Sequence, residues 1–274
     1  MKRVSLHLLP IVLVLASFVH SRTITPEYFG GPLVEMPEIT AVFVGNLPSQ
    51  DRILRFLDYL TRSPLMDLVI QDYRTPANSL KHGRLIGSIQ LNSATLGVDN
   101  ILDDARDIRP LLRSLVSGGT LNPNSNSLYV IYLAPGITLR SQGSYSCRDI
   151  CAYHDAIDMS TIALADTTYL FYIVIPDLEN CAGCASSPNP FDSLTTTTTH
   201  ELLESIVNPA GTLGFMQPPA GWISRTYEEI GDACNGETYK IMDEEGEEWI
   251  VQKIWSRTQG MCATGPNSPG EMKG

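Results

Sequence analysis

The segment Thr199-His200-Glu201-Leu202-Leu203-Glu204-Ser205-Ile206-Val207 carries the clearest chemical pattern in the chain. His200 and Glu204 are four residues apart, so on a helix they leave from one face and can chelate a single metal ion. Glu201 lies about 100° further around such a helix. From there its carboxylate can reach a water held at the ion and act as a general base. The pattern echoes the H-E-x-x-H helix of zinc peptidases, with Glu in place of the second His. That exchange makes the site more anionic and zinc a weaker Lewis acid. No histidine follows His200, so any further ligand must be an acid; Glu228, Glu229 and Asp232 lie 24 to 28 residues beyond Glu204. The competing reading is an ordinary amphipathic helix, with Leu202, Leu203, Ile206 and Val207 buried and the acids in water.

Other histidines are few. Residues 1–21 read as a secretory signal: Lys2 and Arg3 open it, residues 6–16 are mostly apolar, and Val19 and Ser21 occupy small-residue cleavage positions. The apolar run is shorter than the ~20 residues that span a bilayer. Cleavage removes His7 and His20, leaving His82, His154 and His200. His154 follows Cys151 closely and could approach a site; His154 or Tyr227 could stabilise an oxyanion, on side-chain chemistry alone. A lone His is more commonly a hydrogen-bonded structural residue. His82, between Lys81 and Gly83, reads as a surface loop residue. Thr195 to Thr199 are mediocre helix formers that can cap and back-bond, so they read as a capping and packing segment.

Composition bounds the rest. At 43% hydrophobic and 18% charged, the 274 residues are neither disordered nor fibrous and can bury a real core. A net charge of -11 offers no footprint for phosphate backbones, which excludes nucleic acid as a partner. All six cysteines lie after position 146, and an even count in an exported chain reads as disulfides. Spacing suggests local pairs: Cys147 with Cys151, Cys181 with Cys184, and Cys234 with Cys262.

These residues need a scaffold. Residues 40–45, 85–91, 128–133 and 169–175 are strand-like apolar or alternating runs. Ser49 is a plausible N-cap for a helix with Ile53, Leu54, Leu57 and Leu60 on one face. Residues 103–116 read as a helix closed by Gly118-Gly119, with Pro110 as a potential kink. Residues 192–207 read as a helix ended by Asn208-Pro209. Residues 238–242 and 249–255 flank the acidic turn Asp243-Glu-Glu-Gly-Glu as a hairpin, with the turn's charge solvated.

Several motifs recur in a specific order. They are Gly30-Gly-Pro32 followed by a strand and Gly45-Asn46, Ser146-Cys-Arg-Asp-Ile-Cys-Ala-Tyr-His154, Cys181-Ala-Gly-Cys184, Val207-Asn-Pro-Ala-Gly-Thr-Leu-Gly-Phe-Met-Gln-Pro-Pro219 and Glu229-Ile-Gly-Asp-Ala-Cys234. Across residues 28–263 the chain thereby resembles the EXORDIUM-like (phosphate-induced protein 1) family. The resemblance implies a secreted, cell-surface or wall-associated protein, linked in plants to growth and cell expansion, and does not itself imply catalysis. Plant members generally lack the His-Glu pair. Microbial and fungal relatives often carry Ser/Thr-His-Glu-x-x-Glu-Ala followed by Asp-Pro and are described as candidate peptidases. This chain is similar to that branch through His200, Glu201 and Glu204, but has Asn208 where Asp is usual. That departure shifts the third-ligand expectation toward Glu229 or Asp232.

The expectation is a secreted, monomeric α/β (α+β) domain over residues 22–264, with a flexible tail over 265–274. It is a zincin-like mixed sheet with flanking helices and a smaller disulfide-stapled C-terminal subdomain. The expected activity is zinc-dependent hydrolysis of peptides: His200, Glu204 and Glu229 or Asp232 hold zinc, Glu201 is the base, and His154 or Tyr227 the oxyanion donor. A non-catalytic protein bound to a cell-surface or wall component is the alternative, and a calcium-stabilised adhesion module a third.

Overall fold

The computed structural model describes residues 24–92, 100–162, 167–179, 181–211 and 219–266. The expected signal and residues 267–274 of the expected tail lie outside these.

In chain order the elements are β1 (Pro26–Tyr28), β2 (Glu38–Val44), α1 (Gln50–Leu60), α2 (Pro64–Tyr73), β3 (Arg84–Leu91) and β4 (Ile101–Asp103). A π-helical turn, Asp104–Ile108, runs into α3 (Arg109–Ser117). Then follow β5 (Ser127–Leu133), β6 (Thr138–Ser141), β7 (Ser144–Tyr145), β8 (Tyr153–Asp158), β9 (Tyr169–Ile175) and α4 (Pro190–Val207). The chain continues through β10 (Trp222–Ser224), β11 (Thr238–Met242), β12 (Glu248–Gln252), β13 (Ile254–Ser256) and β14 (Met261–Ala263).

The central sheet has the order β3-β2-β5-β9-β8. Its first four strands are parallel, and β8 runs antiparallel along the edge. A parallel sheet is covered on both faces, so its inner strands read as continuous apolar runs; β5 is buried at all seven positions and β9 at six. One face packs against α1, α2, α4 and the C-terminal strands, the other against α3 and the small β4-β6-β7 sheet. α1 buries Ile53, Phe56, Leu57 and Leu60, while Leu54 packs at the rim. Ser49 stands at its N-cap but makes no side-chain capping bond.

The helix expected over 103–116 runs over 104–117, and Pro110 stands just after its π-helical first turn gives way to α3. Two local expectations are corrected. The last hairpin strand ends at Gln252: after one more contact with the partner side, Lys253 N–H to Glu237 O (2.8 Å), Ile254 starts a new pairing with β14. Asp243 is not solvated: its side chain is only 6% exposed and accepts from Glu245 N, Glu247 N and Trp249 Nε1.

Disulfide pairing is corrected too. The bridges are Cys147–Cys181, Cys151–Cys184 and Cys234–Cys262, so only the last matches the spacing expectation. Antiparallel pairing sets Tyr153, at the start of β8, opposite Val174, near the end of β9. The cysteines before β8 therefore meet those after β9, across the pair instead of along the chain. Bridges spanning 33 and 34 residues also restrict the unfolded chain more than local ones, by about 4 kcal/mol each against about 2 for a four-residue loop. Cys234–Cys262 staples the smaller C-terminal subdomain. No helix among the described residues is long and apolar enough to cross a membrane.

Candidate functional site

α4 starts at Asn189, whose side chain accepts from Phe191 N, with Pro190 in the first turn. The threonine run then spends its hydroxyls on backbone carbonyls: Thr196 Oγ1 on Asp192 O (2.7 Å), Thr199 Oγ1 on Thr195 O (2.7 Å), and Thr195 Oγ1 on Ile250 O of β12 (2.6 Å). Satisfied in this way, the hydroxyls can be buried, and α4 packs between the sheet and β12. Leu202, Leu203, Ile206 and Val207 are buried as the amphipathic reading expects, but the acids are not solvated. Glu201 is 7% exposed and Glu204 2%.

Buried carboxylates need partners, and those of Glu204 are defined. Its Oε1 accepts from Gly231 N (2.8 Å) and Asp232 N (3.0 Å). Its Oε2 lies 3.2 Å from His200 Nε2, which is also 3.7 Å from Asp232 Oδ1. A Cβ at Gly231 would stand 2.8 Å from Glu204 Oε1 and 2.9 Å from His200 Nδ1, so only glycine brings the backbone this close. His200 Nδ1 faces the Gln252 side chain, whose Nε2 is at 3.0 Å and Oε1 at 3.3 Å. Gln252 Nε2 also donates to Gly231 O (2.8 Å). Gln252 thus holds the ring at Nδ1, and His200 Nε2 is turned toward Glu204 and Asp232.

A second cluster backs Glu201. His154, from β8, points Nδ1 at Glu201 Oε2 (3.0 Å) and Nε2 at the Asn208 carbonyl (3.1 Å). Glu229 Oε1 is 3.5 Å from the same Nε2 and accepts from Asn208 Nδ2 (2.6 Å). Asn208 Oδ1 accepts from Gly221 N, so this residue is a structural bridge. Both nitrogens of His154 face acceptors, the pattern of an imidazolium donating twice. Burial works against that charge, but Glu229 and Glu201 outweigh it and hold the imidazole well above its ordinary value. His200 is likewise opposed by burial yet raised to about 10, chiefly by Glu204. Burial raises Glu204 to about 7 despite His200, and raises Asp232 as well.

Two groups among the described residues could each hold a metal ion, with all ligand atoms of a group within 4.8 Å of one another: His154/Glu201/Glu204 and His200/Glu204/Asp232. The second unites three sequence candidates. Of the two expected downstream acids, Asp232 reaches His200 and Glu204, whereas Glu229 sits behind with His154 and Asn208. Tyr227 is 59% exposed in the turn after β10, outside the cleft lining, and Glu228 lies beside it. His82 pairs with Asp67 (2.7 Å) on the surface. A cleft of about 560 Å³ opens over both groups, walled by residues 149–154 on one side and by Thr196 and Thr197 of α4 on another. Sequence reading missed Gln252 and the backbone N–H groups of Gly231 and Asp232; a glutamine closing a strand and a glycine in a turn carry no signal of their own.

Comparison with protein-family models, with curated proteins and with solved structures gives no match to this chain.

Proposed function

We propose that the protein is a secreted zinc-dependent metallohydrolase acting on peptide bonds, of the zincin-like kind and akin to the microbial branch of EXORDIUM-like proteins. The observation that carries this reading is the convergence of His200 Nε2, Glu204 Oε2 and Asp232 Oδ1 beside a buried Glu201 on the same helical turn. One imidazole with two carboxylates suits zinc, whereas calcium takes six to eight oxygens. The His154 set fits less well, since all three of its groups are buried and it would spend Glu201 as a ligand, whereas the second set includes the partly exposed His200 and the exposed Asp232. Three disulfides and an N-terminal signal-like segment suit an oxidising, extracellular setting.

A bound zinc ion would supply Lewis acidity toward a scissile carbonyl and an attacking water. The chain's own residues do the rest. Glu204 is oriented by the Gly231 and Asp232 N–H groups, and His200 by Gln252. Glu201 lines the cleft with Oε2 anchored on His154, and its carboxylate would take a proton from the attacking water. His154 therefore serves as a fixed cation behind the base.

Elemental analysis of the purified protein tests the reading: one zinc per chain is expected, with Glu201→Gln keeping the zinc and losing peptide hydrolysis. Absence of stoichiometric zinc, or full hydrolysis by Glu201→Gln, overturns it.

A further inference from the structure

Glu204 belongs to both groups that could hold an ion, and only one of its oxygens is on offer. Oε1 is occupied by the Gly231 and Asp232 N–H groups. Oε2 stands between the two imidazoles, 3.2 Å from His200 Nε2 and 4.0 Å from His154 Nδ1. Ions held by the two groups would share this oxygen, and paired ions in proteins lie about 3.5–4 Å apart.

His154 is oriented as metal-binding histidines are. A backbone carbonyl only accepts, so the Asn208 carbonyl at 3.1 Å takes the Nε2–H and leaves Nδ1 as the nitrogen that can bind a cation. Ligand atoms about 2.1 Å from one tetrahedral ion lie about 3.4 Å apart. His154 Nδ1 is 3.0 Å from Glu201 Oε2 and 4.0 Å from Glu204 Oε2, so small shifts suffice. All three residues line the cleft, which gives an ion a way in. This group is nevertheless the weaker of the two. An ion there must enter a wholly buried set, send the Nδ1 proton to solvent, and share Glu204 with the first ion.

We propose that His154, Glu201 and Glu204 form a second, weaker zinc site that fills only when zinc is in excess and then switches hydrolysis off. A carboxylate that donates to a cation is a poor proton acceptor, so the second ion removes Glu201 as base while His200 and Asp232 keep the first. The inhibition rests on the peptidase reading, but the second site stands or falls on zinc binding alone.

The test is equilibrium dialysis of the purified protein against graded free zinc, with bound metal read by elemental analysis and peptide hydrolysis read on the same samples. Bound zinc should reach one per chain as hydrolysis appears, then two as hydrolysis falls. His154→Gln and Glu201→Gln each remove one ligand of the second site. Both should keep the first zinc, which reports that they are folded, and weaken the second more than about tenfold, since losing even an outer partner of a metal ligand costs about 10–100-fold. Binding that stops at one zinc per chain, a second zinc that both variants keep, or hydrolysis that holds or rises as the second zinc fills overturns the proposal and leaves the peptidase reading standing. Two zinc ions, the second lost in both variants, with no peptide hydrolysed at any zinc concentration would overturn the peptidase reading and uphold the second site.

Discussion

Glu204 and His200 stand one helical turn apart with Oε2 3.2 Å from Nε2, and Gly231 comes close enough behind them to donate its N–H to the other oxygen of Glu204 at 2.8 Å. The carboxylate is thus fixed by backbone on one side and offered on the other. Gly231→Ala would force a methyl into that contact, and overpacking of this kind costs about 1–3 kcal/mol. Thermal melting should show the loss, and zinc content should fall with it; an unchanged melting temperature with unchanged zinc would contradict the fit.

The same cluster makes stability depend on pH when no metal is bound. His200 is raised from 6.5 to about 10, so its contribution is complete below 6.5 and fades as pH climbs toward 10. Glu204 is raised from 4.5 to about 7, and a raised acid follows the same sign: favourable below 4.5, lost as pH passes 7. Protein treated with EDTA should therefore melt at a lower temperature at about pH 9 than at about pH 5.5. Zinc competes with protons for these ligands, so it should raise the melting temperature far more at the higher pH. A metal-free protein that gains stability on going alkaline would refute the buried acid cluster.

How much of this could be read in advance depends on how each residue is held. β5, β9, α1 and α4 announce themselves because burial imposes a pattern on their side chains. α2, Pro64–Tyr73, does not: six of its ten residues are buried, which blurs the helical period. β8, Tyr-His-Asp-Ala-Ile-Asp, is polar because its carboxylate and imidazole serve Arg109 and Glu201, so it does not look like a strand. Sequence reading gathered His200, Glu201 and Glu204 from helical spacing but left Glu229 and Asp232 open. The choice between them is made by the turn at Gly231. Disulfide partners depended on β8 lying beside β9, a long-range fact with no local trace.

That long-range pairing is directly checkable. A peptide map of the unreduced protein should yield Cys147 linked to Cys181 and Cys151 linked to Cys184, with no peptide closed on Cys147–Cys151. Replacing Cys151 and Cys184 together by Ser should cost about 2–4 kcal/mol in chemical denaturation. Because Cys151 and Cys184 both line the cleft, peptide binding should weaken as well. A map showing local bridges would mean that the cleft wall is built differently.

Arg109 holds a second buried charge cluster beneath β8. Its Nε donates to Asp104 Oδ2 (2.6 Å), one terminal nitrogen to the Asp155 carboxylate, and the other to Ala156 O. Tyr153 and Tyr172 both donate to Asp104 Oδ1 at 2.6 Å, so the two acids share one cation, and two phenols add hydrogen bonds to Asp104. Burial raises Asp155 even with Arg109 beside it. Arg109→Met would leave two carboxylates in the interior without a countercharge, a change that costs about 3–5 kcal/mol. Adding Asp155→Asn should recover part of that loss, because the second charge then no longer needs a partner. Urea midpoints of the single and double variants test the cluster. A double variant no more stable than Arg109→Met alone would show that Asp155 does not depend on the guanidinium.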